Sequence, residues 1–184
     1  MSKRKAIYLD RDGTLNYDPG YVHKLEDFKL LPGVIEGLQL LKEEYIFFII
    51  TNQSGIGKGL YSWADFTIFQ GRLITELADN DIQIEKTYVC PHTPEDNCEC
   101  RKPKTFNLDK SVRDYKIDLK NSWVIGDHPS DAALGINAGC RTIYLLTGHG
   151  QKHFDELETK KISPTFIAED FLTAVKHILN NPNE

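Results

Sequence analysis

The sequence lacks the features that mark membrane proteins and nucleic-acid-binding proteins. No run within its 184 residues approaches the roughly 18 apolar residues of a membrane span. The basic start, residues 1–5, is followed by an apolar run that ends at Asp10, which is too short for a secretion signal. Positive charge is not in excess, because 22 Lys and Arg residues face 27 Asp and Glu residues and leave a formal net charge of −5. We therefore expect a cytoplasmic protein that binds neither nucleic acid nor a membrane surface.

Cysteine is also scarce, and its placement argues against disulfides. Three of the four cysteines lie between positions 90 and 100, and without a secretion signal such clustering favours metal binding. With one histidine they form the pattern C-x-H-x₅-C-x-C, made of Cys90, His92, Cys98 and Cys100. Three thiolates and one imidazole fill a tetrahedral zinc site, so the pattern predicts structural zinc; a reduced loop without metal is the alternative. Cys140 stands apart and is predicted to be a small buried residue.

Short apolar runs alternate with amphipathic segments along the chain, with no internal repeat or low-complexity tract. The predicted strands are 6–9, 45–50, 87–90, 123–125 and 142–146, and the predicted helices are 33–43, 62–79, 105–115, 130–138 and 170–180. This alternation is typical of an α/β fold with a doubly wound, mainly parallel sheet. In such sheets ligands bind outside the carboxyl ends of the strands, so each strand end is a candidate site.

The helix predicted at 62–79 has the clearest signals. Ser62 and Asp65 form a capping box at its start. Apolar residues then follow at steps of three and four, which predicts a core-facing helix lined by Trp63, Phe66, Phe69, Leu73 and Leu77.

Two carboxylates leave the first predicted strand, Asp10 and Asp12. Side chains alternate with period two along a strand, so both point into the same crevice. One can act as a nucleophile and the other as a general acid and base. Taken alone, a D-x-D pair also fits a capped turn with solvated aspartates.

Three later segments carry residues that suit a phosphate ester and its metal. Thr51 and the backbone N–H groups after it can hold phosphate oxygens. Arg101 and Lys102 can neutralise phosphate charge, and Asp127, with Asp131 behind it, can supply a hard oxygen ligand for Mg²⁺. Each feature is common on protein surfaces, and the order in which they follow the strands makes them informative together.

This ordered set resembles the four motifs of the haloacid dehalogenase superfamily. The resemblance implies a phosphatase in which Asp10 attacks phosphorus and forms a covalent aspartyl-phosphate. Asp12 would protonate the leaving oxygen and then activate water. Mg²⁺ would lie between Asp10, Asp127 and the backbone carbonyl of Asp12, while Thr51 and Lys102 hold the transferring oxygens. The expected substrate is a small phosphorylated metabolite.

The spacing of the motifs leaves no room for a separate cap domain. Only a helix and a strand fit between Asp12 and Thr51, and only a helix, a strand and the zinc loop fit between Thr51 and Lys102. We expect one domain with specificity set by short loops: the domain is 1–184, the zinc loop is 90–102, and the specificity loops are 16–27 and 90–101.

A capless superfamily member with zinc resembles two related groups, the D-glycero-D-manno-heptose-1,7-bisphosphate 7-phosphatases and the histidinol-phosphatases. The first group makes a precursor of the nucleotide-activated heptose of bacterial lipopolysaccharide, and it is the closer match in the loops after Asp12 and Thr51. The resemblance implies substrate contacts at Asp18, Gly20, Tyr21, Asn52, Gln53, Ser54 and Arg101, with Arg101 directed to the remote phosphate.

Two positions depart from the heptose group and keep alternatives open. The short spacer from His92 to Cys98 is as in the histidinol-phosphatases. His128 stands where the heptose enzymes usually carry lysine. Histidinol phosphate is therefore an alternative substrate, and a zinc-stabilised binding module without activity is a third reading. We expect a monomer, because no amphipathic surface is left unassigned.

Overall fold

The computed structural model describes residues 3–181. Its strands are β1 (Lys5–Leu9), β2 (Tyr45–Asn52), β3 (Ile84–Cys90), β4 (Trp123–Gly126), β5 (Arg141–Leu145) and β6 (Phe166–Ala168). They form one sheet in the order β3-β2-β1-β4-β5-β6, and every neighbouring pair is parallel. The predicted doubly wound sheet is confirmed. Within residues 3–181 all named strands belong to this sheet, so no cap domain with its own sheet is present.

The helices are α1 (Val34–Leu41), α2 (Ser54–Gly57), α3 (Trp63–Ala78), α4 (Phe106–Tyr115), α5 (Pro129–Ala138), α6 (Asp155–Thr159) and α7 (Phe171–Asn180). Five of them correspond to the predicted helices. The elements α2, α6 and β6 were not predicted, because they are too short to carry a periodic apolar pattern. Strand β3 also begins earlier than predicted, at Ile84, and its first residues are only partly buried. No helix of the described chain has the length and apolar character needed to cross a membrane.

Alternation along β1 builds a core on both faces of the sheet. Ile7 and Leu9 join the apolar cluster of α1, α3 and α7, whereas Ala6 and Tyr8 join the cluster that includes residues of α4 and α5. A strand that is covered on both faces is apolar at every position, which explains the uninterrupted run before Asp10.

Helix α3 begins as predicted and packs with one exception. Ser62 and Asp65 form the capping box, and the four predicted apolar positions from Phe66 onward are buried. The prediction for Trp63 is wrong, because its side chain is 50% exposed. As the first residue of the helix, Trp63 packs edge-on against the Phe66 ring rather than into the core, with the ring centroids 5.7 Å apart.

The strand order places the motif of Asp10, after β1, beside the motif of Asp127, after β4. The chain fills one half of the sheet with β2 and β3 and then crosses to the other side of β1 to form β4. Leu9 pairs with Ile125 across the β1–β4 boundary, and the amide of Asp10 donates to the Ile125 carbonyl at 3.0 Å. This boundary is the topological switch point, where doubly wound sheets open a crevice for ligands.

Candidate active site

A cleft of about 500 Å³ lies at the carboxyl end of the sheet. It is large enough for a small metabolite. Every residue predicted to act in catalysis, substrate binding or magnesium binding lines it: Asp10, Asp12, Asp18, Gly20, Tyr21, Thr51, Asn52, Gln53, Ser54, Arg101, Lys102 and Asp127. The lining also contains residues that were not predicted as site residues, namely Tyr61, His128, Ser130 and His149.

Lys102 lies at the centre of the buried charges. Its Nζ is 2.7 Å from Asp10 Oδ1 and 2.6 Å from Asp131 Oδ1, and it donates to the Ile50 carbonyl at 2.9 Å. Burial acts to lower the pKa of Lys102, but the two carboxylates raise it above its ordinary value. Lys102 is therefore a fixed positive charge beside Asp10.

Three carboxylates meet at the switch point. Oxygens of Asp10, Asp127 and Asp131 lie within 4.8 Å of one another. Burial raises the pKa of Asp10 to about 7, against the opposing effect of Lys102. Burial and the charges of Asp10 and Asp131 raise the pKa of Asp127 to about 8. One ammonium does not balance three carboxylates, so this cluster of hard oxygen donors fits a divalent cation such as Mg²⁺.

Two glycines from different loops lie close against the Asp127 carboxylate. A Cβ added to Gly13 would lie 2.1 Å from Asp127 Oδ2, and one added to Gly148 would lie 2.3 Å from the same oxygen. The backbone N–H of His149 donates to that oxygen at 2.8 Å. Thr147 Oγ1 donates to the Gly13 carbonyl at 2.7 Å, which ties the two loops together. The loop after β5 thus completes the site, although the sequence predicted nothing there.

Gln53 and Asn52, two of the residues predicted to contact substrate, form hydrogen bonds to predicted catalytic residues. The amide of Gln53 is 2% exposed; its Nε2 donates to Asp12 and to Thr51, both at 2.7 Å. Asn52 Oδ1 accepts from the backbone N–H of Lys102 at 3.1 Å. These two side chains therefore orient neighbouring groups within the wall of the cleft.

Other predicted substrate contacts lie around the mouth of the cleft. Asp18 accepts a hydrogen bond from the Gly20 amide at 2.8 Å and lies 3.1 Å from Nε2 of His149. The Tyr21 hydroxyl accepts from Lys58 Nζ at 2.7 Å. Loop 16–27 is thus connected to the loop after β5 and to the end of α2.

His128 has a structural role in addition to its place in the cleft lining. It is the N-cap of α5, where its Nδ1 accepts from the Ser130 backbone N–H at 3.2 Å. The Asp131 carboxylate completes a capping box by accepting from the His128 N–H at 3.0 Å. Burial lowers the pKa of His128, so its ring is more readily neutral than that of an exposed histidine.

The cysteine cluster has the spacing of a tetrahedral metal site. The separations are 3.5 Å for the sulfurs of Cys90 and Cys98, 3.6 Å for Cys98 and Cys100, 3.8 Å from Cys90 Sγ to His92 Nδ1, and 3.3 Å from His92 Nδ1 to Cys100 Sγ. Bonds of about 2.3 Å from zinc to sulfur place the sulfurs of a tetrahedron about 3.8 Å apart, so these residues fit the ion. Cys140 is buried, as predicted.

The zinc cluster is joined directly to the phosphate-binding candidates. Burial acts to raise the pKa of Cys98, but hydrogen bonds with Cys90 and Cys100 lower it to about 7, which favours the thiolate that binds metal. Arg101 follows Cys100 in the chain, and its Nη1 donates to the His92 carbonyl at 3.1 Å. A metal at this cluster would therefore hold the segment that carries Arg101 and Lys102.

Comparisons with known proteins agree with this geometry. The family model described as HAD-hydrolase-like matches residues 99–174. The D-glycero-alpha-D-manno-heptose-1,7-bisphosphate 7-phosphatase of Campylobacter jejuni is 45% identical over 145 residues, which cover 78% of this chain and 83% of that protein. The chain belongs to the heptose-bisphosphate phosphatase family of HAD-like hydrolases. The superfamily resemblance predicted from the motifs is confirmed, and the chain is a phosphomonoester hydrolase.

Two further heptose-bisphosphate phosphatases extend the comparison. The D-glycero-beta-D-manno-heptose-1,7-bisphosphate 7-phosphatase of Haemophilus influenzae is 39% identical over 160 residues, covering 80% of this chain and 87% of that protein. The crystal structure of the D,D-heptose 1,7-bisphosphate phosphatase from B. bronchiseptica, complexed with magnesium and phosphate, gives a TM-score of 0.86 at 29% identity. That likeness covers 96% of this chain and 99% of the other. The fold therefore matches along nearly the whole chain.

Proposed function

We propose that the chain removes the 7-phosphate of D-glycero-D-manno-heptose 1,7-bisphosphate, a step toward the nucleotide-activated heptose of lipopolysaccharide. The observation that carries this proposal is the 45% identity to a phosphatase named for that substrate, in a chain whose predicted catalytic residues all line one cleft. The cleft volume of about 500 Å³ suits a sugar bisphosphate.

Asp10 is the proposed nucleophile. Lys102 holds one of its oxygens, Oδ1, at 2.7 Å, which leaves Oδ2 available to attack phosphorus. The new bond joins Asp10 to phosphorus while the bond from phosphorus to the sugar oxygen breaks. A protonated Asp12 gives its proton to that leaving oxygen, so the sugar departs as a neutral alcohol.

The second step returns the enzyme to its starting state. The Asp12 carboxylate takes a proton from water, and the water oxygen attacks phosphorus. The bond between phosphorus and Asp10 then breaks, releasing inorganic phosphate and the Asp10 carboxylate. Thr51 and Lys102 are the groups we assign to hold the phosphate oxygens during both steps.

Metal ions have two separate proposed roles. The carboxylates of Asp10 and Asp127 and the backbone carbonyl of Asp12 would hold Mg²⁺, which neutralises the repulsion between a phosphate and the carboxylates. Zinc at the cysteine cluster would be structural, because Cys90, His92, Cys98 and Cys100 would supply all four of its ligands. Arg101, beside that cluster and in the cleft lining, is the proposed contact for the remote phosphate.

A side-by-side assay tests this proposal against the alternative substrate suggested by the short spacer of the cysteine cluster. Both anomers of the heptose bisphosphate and histidinol phosphate are supplied with Mg²⁺, and released phosphate is measured. Phosphorus NMR then identifies which phosphate of the heptose has been removed. We expect a large preference for the heptose and loss of the 7-phosphate. A large preference for histidinol phosphate, or inactivity on all three substrates, would overturn the proposal.

The same proposal places the enzyme in the cytoplasm as a single domain that acts as a monomer on a small phosphorylated sugar. The formal net charge of −5 supports the absence of a nucleic-acid or membrane partner. Analytical ultracentrifugation checks the oligomeric state, and we expect one species of 21.0 kDa. A stable dimer would contradict the proposed monomeric state.

A further inference from the structure

In the sequence, a buried arginine stands between the proposed nucleophile and the proposed acid. Arg11 is 1% exposed, and its guanidinium binds the Asp12 carboxylate at two points. The Arg11 Nε donates to Asp12 Oδ1 at 2.7 Å, and Nη2 donates to Oδ2 at 2.8 Å. A two-point contact of this kind fixes the plane of a carboxylate as well as its position.

The Arg11 guanidinium is itself held from several directions. Its Nη2 also donates to Gln53 Oε1 at 3.1 Å and to the Val22 carbonyl at 3.2 Å. Its central carbon lies 5.2 Å from the ring centroid of Phe66 and 4.9 Å from that of Phe69. Aromatic faces attract a cation, and a buried charge needs a hydrogen-bonded counter-ion. This surrounding fixes the arginine in one place, with Asp12 as its carboxylate partner.

Two neutral side chains complete the hydrogen bonds to Asp12. Asn16 Nδ2 donates to Oδ1 at 3.0 Å, and Gln53 Nε2 donates to Oδ2 at 2.7 Å. With the two bonds from Arg11, the carboxylate accepts four hydrogen bonds, which is about the number it can accept. A protonated Asp12 therefore gives up one of the two amide bonds in order to carry its proton. The side chain of Asp12 nevertheless remains 17% exposed, at the edge that lines the cleft. Asp12 is therefore held in one orientation while one edge stays open to substrate.

We propose that Arg11 is a positioning residue that sets the orientation of Asp12 for proton transfer to the leaving group. The inference rests on the proposed function, because it gives Asp12 the role of acid. Arg11 acts through Asp12, so its loss should slow the departure of a leaving group that needs a proton. Substrate binding should change little, because the guanidinium is buried behind Asp12.

Leaving groups of different basicity separate this role from a general structural one. The alkoxide of a sugar phosphate must be protonated as it departs, whereas the phenolate of p-nitrophenyl phosphate leaves without a proton. The first turnover, measured by rapid mixing with Mg²⁺, reports transfer of phosphate to Asp10 before water is activated. For Arg11→Met we expect this rate to fall about 100-fold on the heptose bisphosphate and only a few-fold on p-nitrophenyl phosphate.

Steady-state constants and a conservative variant provide a second readout. We expect Arg11→Met to lower kcat with KM nearly unchanged. Arg11→Lys keeps the charge but loses the two-point contact, so we expect it to recover only part of the rate. The lysine variant also keeps the test informative if the methionine variant does not fold. Arg72→Met is a matched control, because Arg72 also lies over an aromatic ring, that of Phe28, and pairs with a carboxylate outside the cleft.

A double variant shows whether Arg11 acts through its partner. If it does, adding Arg11→Met to Asp12→Asn lowers the first-turnover rate no further. The inference is overturned if the rate falls equally for both leaving groups, or if the arginine change costs as much in the Asp12→Asn background as in the wild type. A wild-type protein that releases phosphate from neither substrate contradicts the proposed function instead.

Discussion

Replacing Gly13 with alanine tests how closely the backbone must approach Asp127. Gly13 has a φ of +79°, and a Cβ there would lie 2.1 Å from Asp127 Oδ2. The left-handed conformation alone costs an alanine about 1–2 kcal/mol. The clash adds a second effect, because the Asp127 carboxylate must move by about 1 Å, a displacement that can cost about 100-fold in rate. We therefore expect the free energy of unfolding to fall by at least the strain, kcat to fall about 100-fold, and Mg²⁺ to bind more weakly.

A second glycine separates strain from displacement. Gly139 has a φ of +74°, but a Cβ added there meets nothing within 4 Å. Gly139→Ala should lose about 1–2 kcal/mol of stability in urea unfolding and keep its activity and its Mg²⁺ affinity. A Cβ added at Gly148 would lie 2.3 Å from the same oxygen of Asp127, so Gly148→Ala should lose turnover and Mg²⁺ affinity as Gly13→Ala does. If Gly13→Ala keeps wild-type turnover, or loses no more than Gly139→Ala, the carboxylate does not depend on this close approach and the reasoning is refuted.

Three further predictions follow from the charges and the thiols of the site. Asp10→Asn should abolish turnover while the protein stays folded by circular dichroism; near-normal turnover would exclude an aspartyl-phosphate. Cys98→Ser should release zinc, lower the melting temperature and reduce activity together, whereas full activity and unchanged melting after verified zinc loss would show that the cluster does not support the site. The pKa values of Asp10 and Asp127, about 7 and about 8, are raised above the ordinary 3.8, so protonation of these groups favours the folded state. Their contribution to stability is therefore lost as pH rises from about 4 to about 8, and Mg²⁺ replaces the lost protons. We expect Mg²⁺ to raise the melting temperature more above pH 8 than below pH 7; an equal or opposite change would contradict this sign.

The parts of the site that could be predicted are those whose signals are local in the sequence. The four cysteine-cluster ligands fall between positions 90 and 100, and their spacing alone indicates a metal site. Asp10 and Asp127 directly follow β1 and β4, Thr51 lies in the last two residues of β2, and parallel strands bring their carboxyl ends to one edge of the sheet. Local order therefore sufficed to gather the catalytic candidates without knowledge of the strand order.

Arg11 could not be predicted because its position depends on segments far from it in the chain. Alternation along a strand directs Arg11 away from Asp10 and Asp12, so it is expected to turn away from the crevice. The guanidinium returns to Asp12 because Gln53, the Val22 carbonyl and aromatic rings of α3 surround it. Nothing in the local sequence indicates those contacts.

The roles of Gln53 and Asp131 were also beyond local reasoning. Gln53 was predicted to contact substrate and lines the cleft; in addition, its Oε1 accepts from Tyr61, and its Nε2 donates to Asp12. Asp131 was expected behind Asp127, and it also lies 2.6 Å from Lys102 Nζ. Both outcomes depend on how α3 and α5 pack, which periodicity does not specify. The loop that carries His149 has no motif at all.

The long sequence separations across the cleft have a consequence for folding. The contact between Lys102 and Asp10 joins residues 92 positions apart, and the contact between Thr147 and Gly13 spans 134 positions. Contacts of such range form slowly, because long segments of chain must be closed before they are made. The N-terminal half of the chain supplies β1, β2 and α3 but lacks Lys102 and Asp127, so it contains no complete site. Recovery of turnover during refolding should therefore lag behind recovery of helical circular dichroism, which makes enzyme activity a reporter of the last segments to assemble.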